Sequence, residues 1–124
     1  MKSFLLAIMA GGALASAVPA YAHHSYAMFD RSQVLTVSGV VKEFNWTNPH
    51  SSFAIVAASN GADQVWYFEM GGPETLARQG WRRSTVAPGD KVTVSYNPLR
   101  SGGAGGSYVG IVLPNGTKLG GGDQ

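Results

Sequence analysis

The chain has 124 residues, no cysteine, nine Lys+Arg against seven Asp+Glu, and 44% hydrophobic residues. That length suits one small domain with a single core, and the weak, dispersed charge offers no electrostatic footprint for nucleic acid. The lack of cysteine excludes disulfides, thiolate metal sites, cysteine nucleophiles and the C-x-x-C-H attachment of c-type haem.

Lys2 opens a leader whose residues 4–18 are largely apolar, and Pro19-Ala20-Tyr21-Ala22 closes it. An apolar run of that length followed by Ala-x-Ala reads as a signal peptide cut after Ala22, and it is shorter than the roughly 20 residues of a membrane span. No later segment is apolar enough to cross a bilayer as a helix. The expected organisation is a signal peptide over 1–22, an arm over 23–33, a barrel domain over 34–119 and a disordered tail over 120–124. The mature protein is then periplasmic or secreted and begins His23-His24.

Residues 34–46 read as one long strand with Gly39 near its middle, where a bulge or bend is expected. Thr47-Asn48-Pro49-His50 is a turn. Residues 52–57 follow as a strand with Phe53, Ile55 and Ala57 on one face, Asn60-Gly61 signals a hairpin, and residues 64–70 form a third strand. The period then changes: residues 71–80 read as a short helix, with Pro73 at its first position, Glu74 in the first turn, Arg78 in the last and Gly80 as its stop. Strands over 91–96 and 107–113 come next, separated by a glycine-rich loop over 101–106, and a last short strand is expected around 117–119. The order is strand, strand, strand, helix, strand, strand, with a bent first strand able to serve two sheets. It predicts an all-β fold with a small α component: an OB-like five-stranded barrel whose helix lies between strands three and four, with a β-sandwich as the competitor.

The chemistry concentrates at the new N-terminus. His23 would offer its α-amine and imidazole together, a pair that suits late first-row transition metals and Cu²⁺ above all. His24 and His50 are the other two histidines of the chain. The candidate metal ligands are therefore His23, His24 and His50, with Met28 as a soft ligand favouring Cu⁺. The opposing reading makes the His-His start a solvated end and His50 a polar turn residue bonded to a neighbouring carbonyl. Reach bears on the choice. The arm extends at most ~33–36 Å, against roughly 40 Å for a straight strand over 34–46, so a shared site needs a bent strand and an arm pinned by Tyr26 or Phe29.

A second candidate site joins Trp46 and Asn48 at the first turn with Glu69 and the 101–106 loop, where an OB-type module binds a peptide, a glycan or a partner protein. Barrel core or rim is the plainer role for Trp66, and Trp81 is expected to cover one barrel end. There is no G-x-S-x-G, H-E-x-x-H or phosphate-cradling loop, and hence no nucleotide site. Three readings follow. The first is an exported, non-enzymatic copper or divalent-metal binder, and the second a metal-independent binding module. The third is a copper redox enzyme with an N-terminal histidine brace, for which no catalytic residue is legible. The expected partners are a metal ion or small ligand and another periplasmic protein, with no nucleic acid.

The runs His23-His24-Ser25-Tyr26-Ala27-Met28-Phe29-Asp30 and Trp46-Thr47-Asn48-Pro49-His50-Ser51 resemble an uncharacterised family of small exported bacterial proteins with an Ala-His-His-Ser start and a Trp-x-Asn-Pro-His turn. Leu76…Gly80-Trp81 and Pro88-Gly89-Asp90-Lys91-Val92 fit the same pattern. The resemblance implies export and a compact domain but carries no activity. The barrel order is also similar to that of the periplasmic haem chaperone of cytochrome c maturation. That family's His-x-x-x-Tyr haem motif has no counterpart, since Ala27 and Met28 stand four residues after His23 and His24, so no haem is expected.

Overall fold

A computed structural model describes residues 27–121. The expected signal peptide, His23, His24, Tyr26 and residues 122–124 lie outside the described residues. Among the described residues the elements follow in the order β1 (Leu35–Asn45), β2 (Ser52–Ser59), β3 (Ala62–Glu69), α1 (Pro73–Arg78), β4 (Lys91–Pro98), β5 (Gly105–Val112) and β6 (Lys118–Gly120). The sheet order is β3-β2-β1-β4-β5-β6, and a parallel pairing of β3 with β5 closes the first five strands into an OB-like barrel.

The first strand does the work of two. Leu35 to Val40 pair with β4, and Val40 to Asn45 pair with β2, so the strand changes partner at Val40. The bulge falls between Val41 and Glu43 rather than at the expected Gly39. Gly39 answers a different need, close approach at the crossing: a Cβ there would sit 2.5 Å from the Val56 carbonyl oxygen. An extra residue coils the strand more strongly than a glycine alone, and it is placed just beyond the crossing.

Inward-facing residues alternate as the strand period requires. Val41, Phe53, Ile55, Phe68, Val92, Val94 and Ile111 are all buried in one core. The helix spans six residues, shorter than the expected 71–80, with Pro73 in its first turn. Leu76 is its buried residue, while its Glu74–Arg78 pair is exposed and contributes little. Trp81 follows at 1% exposure and packs on Phe44 and Phe53, so it belongs to the core of the barrel end it was expected to cover.

Trp81 also sets the polar order of that end. Its indole N–H donates to the Tyr108 hydroxyl at 2.9 Å, and that hydroxyl faces the Leu119 carbonyl at 3.2 Å. Burial pushes the Tyr108 phenol up to about 12, while the Trp81 N–H acts in the opposite direction. A folded-state value above the ordinary 10.0 means that this stabilisation is complete below pH ~10 and is lost as pH rises through about 12. Tyr108→Phe leaves the Trp81 donor unpaired and is expected to cost about 1–3 kcal/mol at neutral pH. It should also flatten the alkaline fall in stability without abolishing it, because burial raises Tyr96 as well. Chemical denaturation between pH 7 and 12 measures both effects.

Candidate functional site

The arm is tied to the barrel from Ala27 onward. Phe29 makes an antiparallel bridge with Leu99 and is 5% exposed. The Asp30 N–H donates to the Pro98 carbonyl at 2.8 Å, and the Arg100 N–H to the Met28 carbonyl at 2.8 Å. The Arg100 Nε–H donates to the Ala27 carbonyl at 3.1 Å. Asp30 then turns the chain into β1: its carboxylate accepts from the Ser32 backbone N–H, the Ser32 hydroxyl and the Gln33 side-chain amide. Those bonds hold its carboxyl below the usual range, led by the Ser32 hydroxyl. Phe29 is one of the two pins the sequence offered, and six residues separate it from His23, a span of at most ~20 Å.

The turn between β1 and β2 is strapped from within. Ser51 is fully buried; its hydroxyl donates to the Thr47 carbonyl and accepts from the Thr47 N–H, both at 3.2 Å. The Thr47 hydroxyl donates to the His50 carbonyl at 3.0 Å, and the Asn48–Pro49 peptide is cis. Beyond the named strands the β2–β3 ladder continues: Met70 N–H donates to Ser51 O at 2.9 Å, and Ser51 N–H to Gly71 O at 3.0 Å. These bonds set Ser51 opposite both Met70 and Gly71, as in a bulge, and the His50 Nδ1 lies 3.1 Å from the Met70 carbonyl. A carbonyl only accepts, so Nδ1 carries the proton and Nε2 of the neutral ring keeps its lone pair. A carbonyl bonded to the far ring nitrogen is the arrangement that orients a metal-ligating imidazole.

His50 opens on a pocket of about 200 Å³ whose lining includes Phe29, Arg31, Glu69, Ser107 and Tyr108. The pocket shares Arg31, Gly71, Ser107 and Tyr108 with a larger polar groove that runs toward Ser95, Asn97 and Gln79. Among the described residues no three of His, Cys, Asp and Glu cluster in a way that could hold a metal. The described barrel supplies His50 and Glu69, and any further histidine must come from His23 and His24.

The residues of the second candidate constellation are placed as follows. Glu69 stands in the pocket with His50. Trp46 instead packs edge-on against Phe44 at 5.9 Å and is partly buried against the core. Asn48 lies at the start of α1, where its Oδ1 would be 3.4 Å from a Cβ on Gly72. The loop expected over 101–106 ends at Ala104, because Gly105 and Gly106 are buried strand residues paired with Tyr67 and Phe68. Parallel closure of a barrel needs backbone there, and that need overrides the glycine-rich appearance of the segment. Gly120 and Gly121, expected to open the tail, are held instead: Gly120 ends β6, and the Gly121 N–H donates to the Val109 carbonyl. The Trp66 indole N–H is buried without a hydrogen-bond partner, and its ring meets Tyr96 edge-on, a barrel-interior position. The proximity of His50 and Glu69, which line one pocket, was missed because it depends on how the chain pairs beyond the ends of β2 and β3.

Strand order, closure and the position of the helix define the class: an OB-like barrel to which the chain is tied from Ala27 onward. The chain belongs to DUF6152, a family of unknown function whose model matches residues 12–108, a span that includes all three histidines. No curated protein matches it. Among solved structures it is similar to the crystal structure of the mitochondrial single-stranded DNA-binding protein Rim1 from S. cerevisiae. That similarity has a TM-score of 0.49 and 13% identity, and covers 65% of this chain and 92% of that one. No helix among the described residues is long and apolar enough to cross a membrane.

Proposed function

We propose that the protein, exported and cut after Ala22, is a periplasmic or secreted binding domain for a divalent transition metal, copper first. Its ligands are the His23 amine and imidazole, His24, and Nε2 of His50. The observation that carries this reading is the 3.1 Å contact of His50 Nδ1 with the Met70 carbonyl, which leaves Nε2 as a free donor. It gains from the arm, which Phe29 anchors in the lining of the same pocket as His50. The reading also removes the reach problem: six residues from Phe29, rather than a free arm of eleven, must bring His23 to the pocket.

Titration of the protein beginning at His23 with Cu²⁺, followed by electron spin resonance, tests it. A tetragonal signal with nitrogen couplings is expected at micromolar copper, and His50→Ala should weaken binding by about tenfold or more. Retaining Ala22 at the terminus should weaken it similarly, since the chelating amine moves away from the His23 imidazole. A protein with no nitrogen-coordinated copper, or with binding indifferent to His23→Ala, removes the proposal. Intact mass of the exported protein checks the cleavage position on which it stands.

A further inference from the structure

We propose that the cleft joining the pocket and the larger groove binds a neutral saccharide, held by Glu69, Ser107 and Asn97. The inference goes beyond the metal-binding reading and does not depend on it. Register places the three side chains in one row. Glu69 of β3 pairs with Ser107 of β5, and Ser107 pairs with Asn97 of β4. Their chain neighbours Phe68, Met70, Gly106 and Tyr96 are buried, so by alternation the three side chains point outward together. Adjacent strands lie about 4.8 Å apart, so carboxylate, hydroxyl and amide follow one another at that step. Glu69 lines the pocket, Asn97 the groove and Ser107 both, so the row crosses their junction. Part of it is fixed in advance. The Asn97 Nδ2 donates to the Gln33 carbonyl at 2.8 Å, which orients the amide and presents its Oδ1 as an acceptor.

The lining around this row decides the ligand. The groove encloses about 1070 Å³ and the pocket about 200 Å³. Arg31 from the arm, Thr75 and Gln79 from α1 and Ser95 from β4 surround the row with hydrogen-bonding groups. Besides His50, the charged side chains of the joint lining are Arg31 and Glu69, opposite in sign, so the cleft suits a ligand without net charge. A carboxylate within the row disfavours a nucleic acid or another anion. Glu69 and Ser107 have strand partners on both sides, so the row offers no free edge to an extended peptide. What fits is a ligand dense in hydroxyls, each both donor and acceptor, against side chains of both kinds. The step of about 4.8 Å is close to the length of one sugar unit in an extended glycan. The Phe29 and Tyr108 side chains in the same pocket supply apolar contact for the C–H face of a sugar ring.

The protein beginning at His23 is titrated with maltohexaose, cellohexaose and the hexamer of N-acetylglucosamine, with a metal chelator present throughout. Backbone amide shifts in two-dimensional nuclear magnetic resonance locate the site, and a thymidine oligonucleotide serves as the anionic comparison. At least one saccharide should bind at millimolar concentration and shift the amides of Glu69, Ser107 and Asn97. Glu69→Gln should weaken it about tenfold, because a charged acceptor gives way to a neutral one. Ser107→Val, which puts a branched apolar group that a strand accepts at the centre of the row, should abolish it. Glu43→Gln, outside both linings, should change nothing. Thermal unfolding reports whether each variant folds, and Glu69→Gln, a change of equal shape, carries the test if Ser107→Val does not. No shift with any of the three saccharides overturns the proposal, as does binding that Glu69→Gln leaves unaltered or a preference for the oligonucleotide. With the chelator present each result is independent of the copper titration, so failure of either reading leaves the other standing.

Discussion

Gly105→Ala is expected to cost about 3 kcal/mol or more and to open the barrel at its parallel seam. Gly105 has φ +131°, a conformation an alanine adopts only under strain, and a Cβ there would collide with the carbonyl of Tyr67 across the β3–β5 pairing. Neither strand can yield cheaply, because β3 is held by β2 on its other edge and β5 by β4. Gly102→Ala separates the two contributions: its φ is +79° but nothing lies within 4 Å of the added Cβ. It should cost only the backbone strain, about 1–2 kcal/mol. Urea denaturation of both variants measures the difference. Equal losses would mean that the seam is looser than its geometry.

Trp81→Ala should be the most damaging side-chain truncation, at about 3–5 kcal/mol. At 1% exposure, Trp81 packs at a tilt on Phe44 and Phe53, meets Tyr108 edge-on and donates to the Tyr108 hydroxyl. Truncation therefore opens a large cavity and removes one hydrogen-bond partner of a half-buried phenol in one step, and only part of that void can collapse between a short helix and a barrel wall. Equilibrium unfolding together with near-ultraviolet circular dichroism reads both the stability and the loss of aromatic order. A loss below about 1 kcal/mol would show that Trp81 packs against a surface rather than within the core.

Much of the architecture was legible in local pattern. Alternation at Phe53, Ile55 and Ala57, and at Val92, Val94 and Tyr96, records which face each strand buries, because a strand's side-chain period is two. The helix was legible from Pro73 and from the loss of that alternation. The 105–106 segment was misjudged because glycine carries the same letter in a mobile loop and in a tight strand crossing. The bulge was misplaced for a related reason: Gly39 serves close approach, and the extra residue lies beyond it between Val41 and Glu43. Trp46 and Asn48 were grouped with Glu69 by their place near the first turn, but which face a strand end presents depends on register, and the pocket that Glu69 lines includes neither of them among its lining residues.

The sequence by itself determined the inventory: three histidines, no cysteine, a barrel order of strands and a helix between the third and fourth. Composition and periodicity carry these because they are local properties of the chain. Only the tertiary structure decided which groups meet. His50 and Glu69 stand nineteen positions apart, and the fold brings both to the lining of one pocket. Phe29 lies seventy positions before Leu99, and their bridge carries the arm to the pocket. The tautomer of His50 follows from a carbonyl twenty positions away, at Met70. Such meetings depend on pairing register and barrel closure, which are set by the packing of the whole core and are written in no single stretch of the chain.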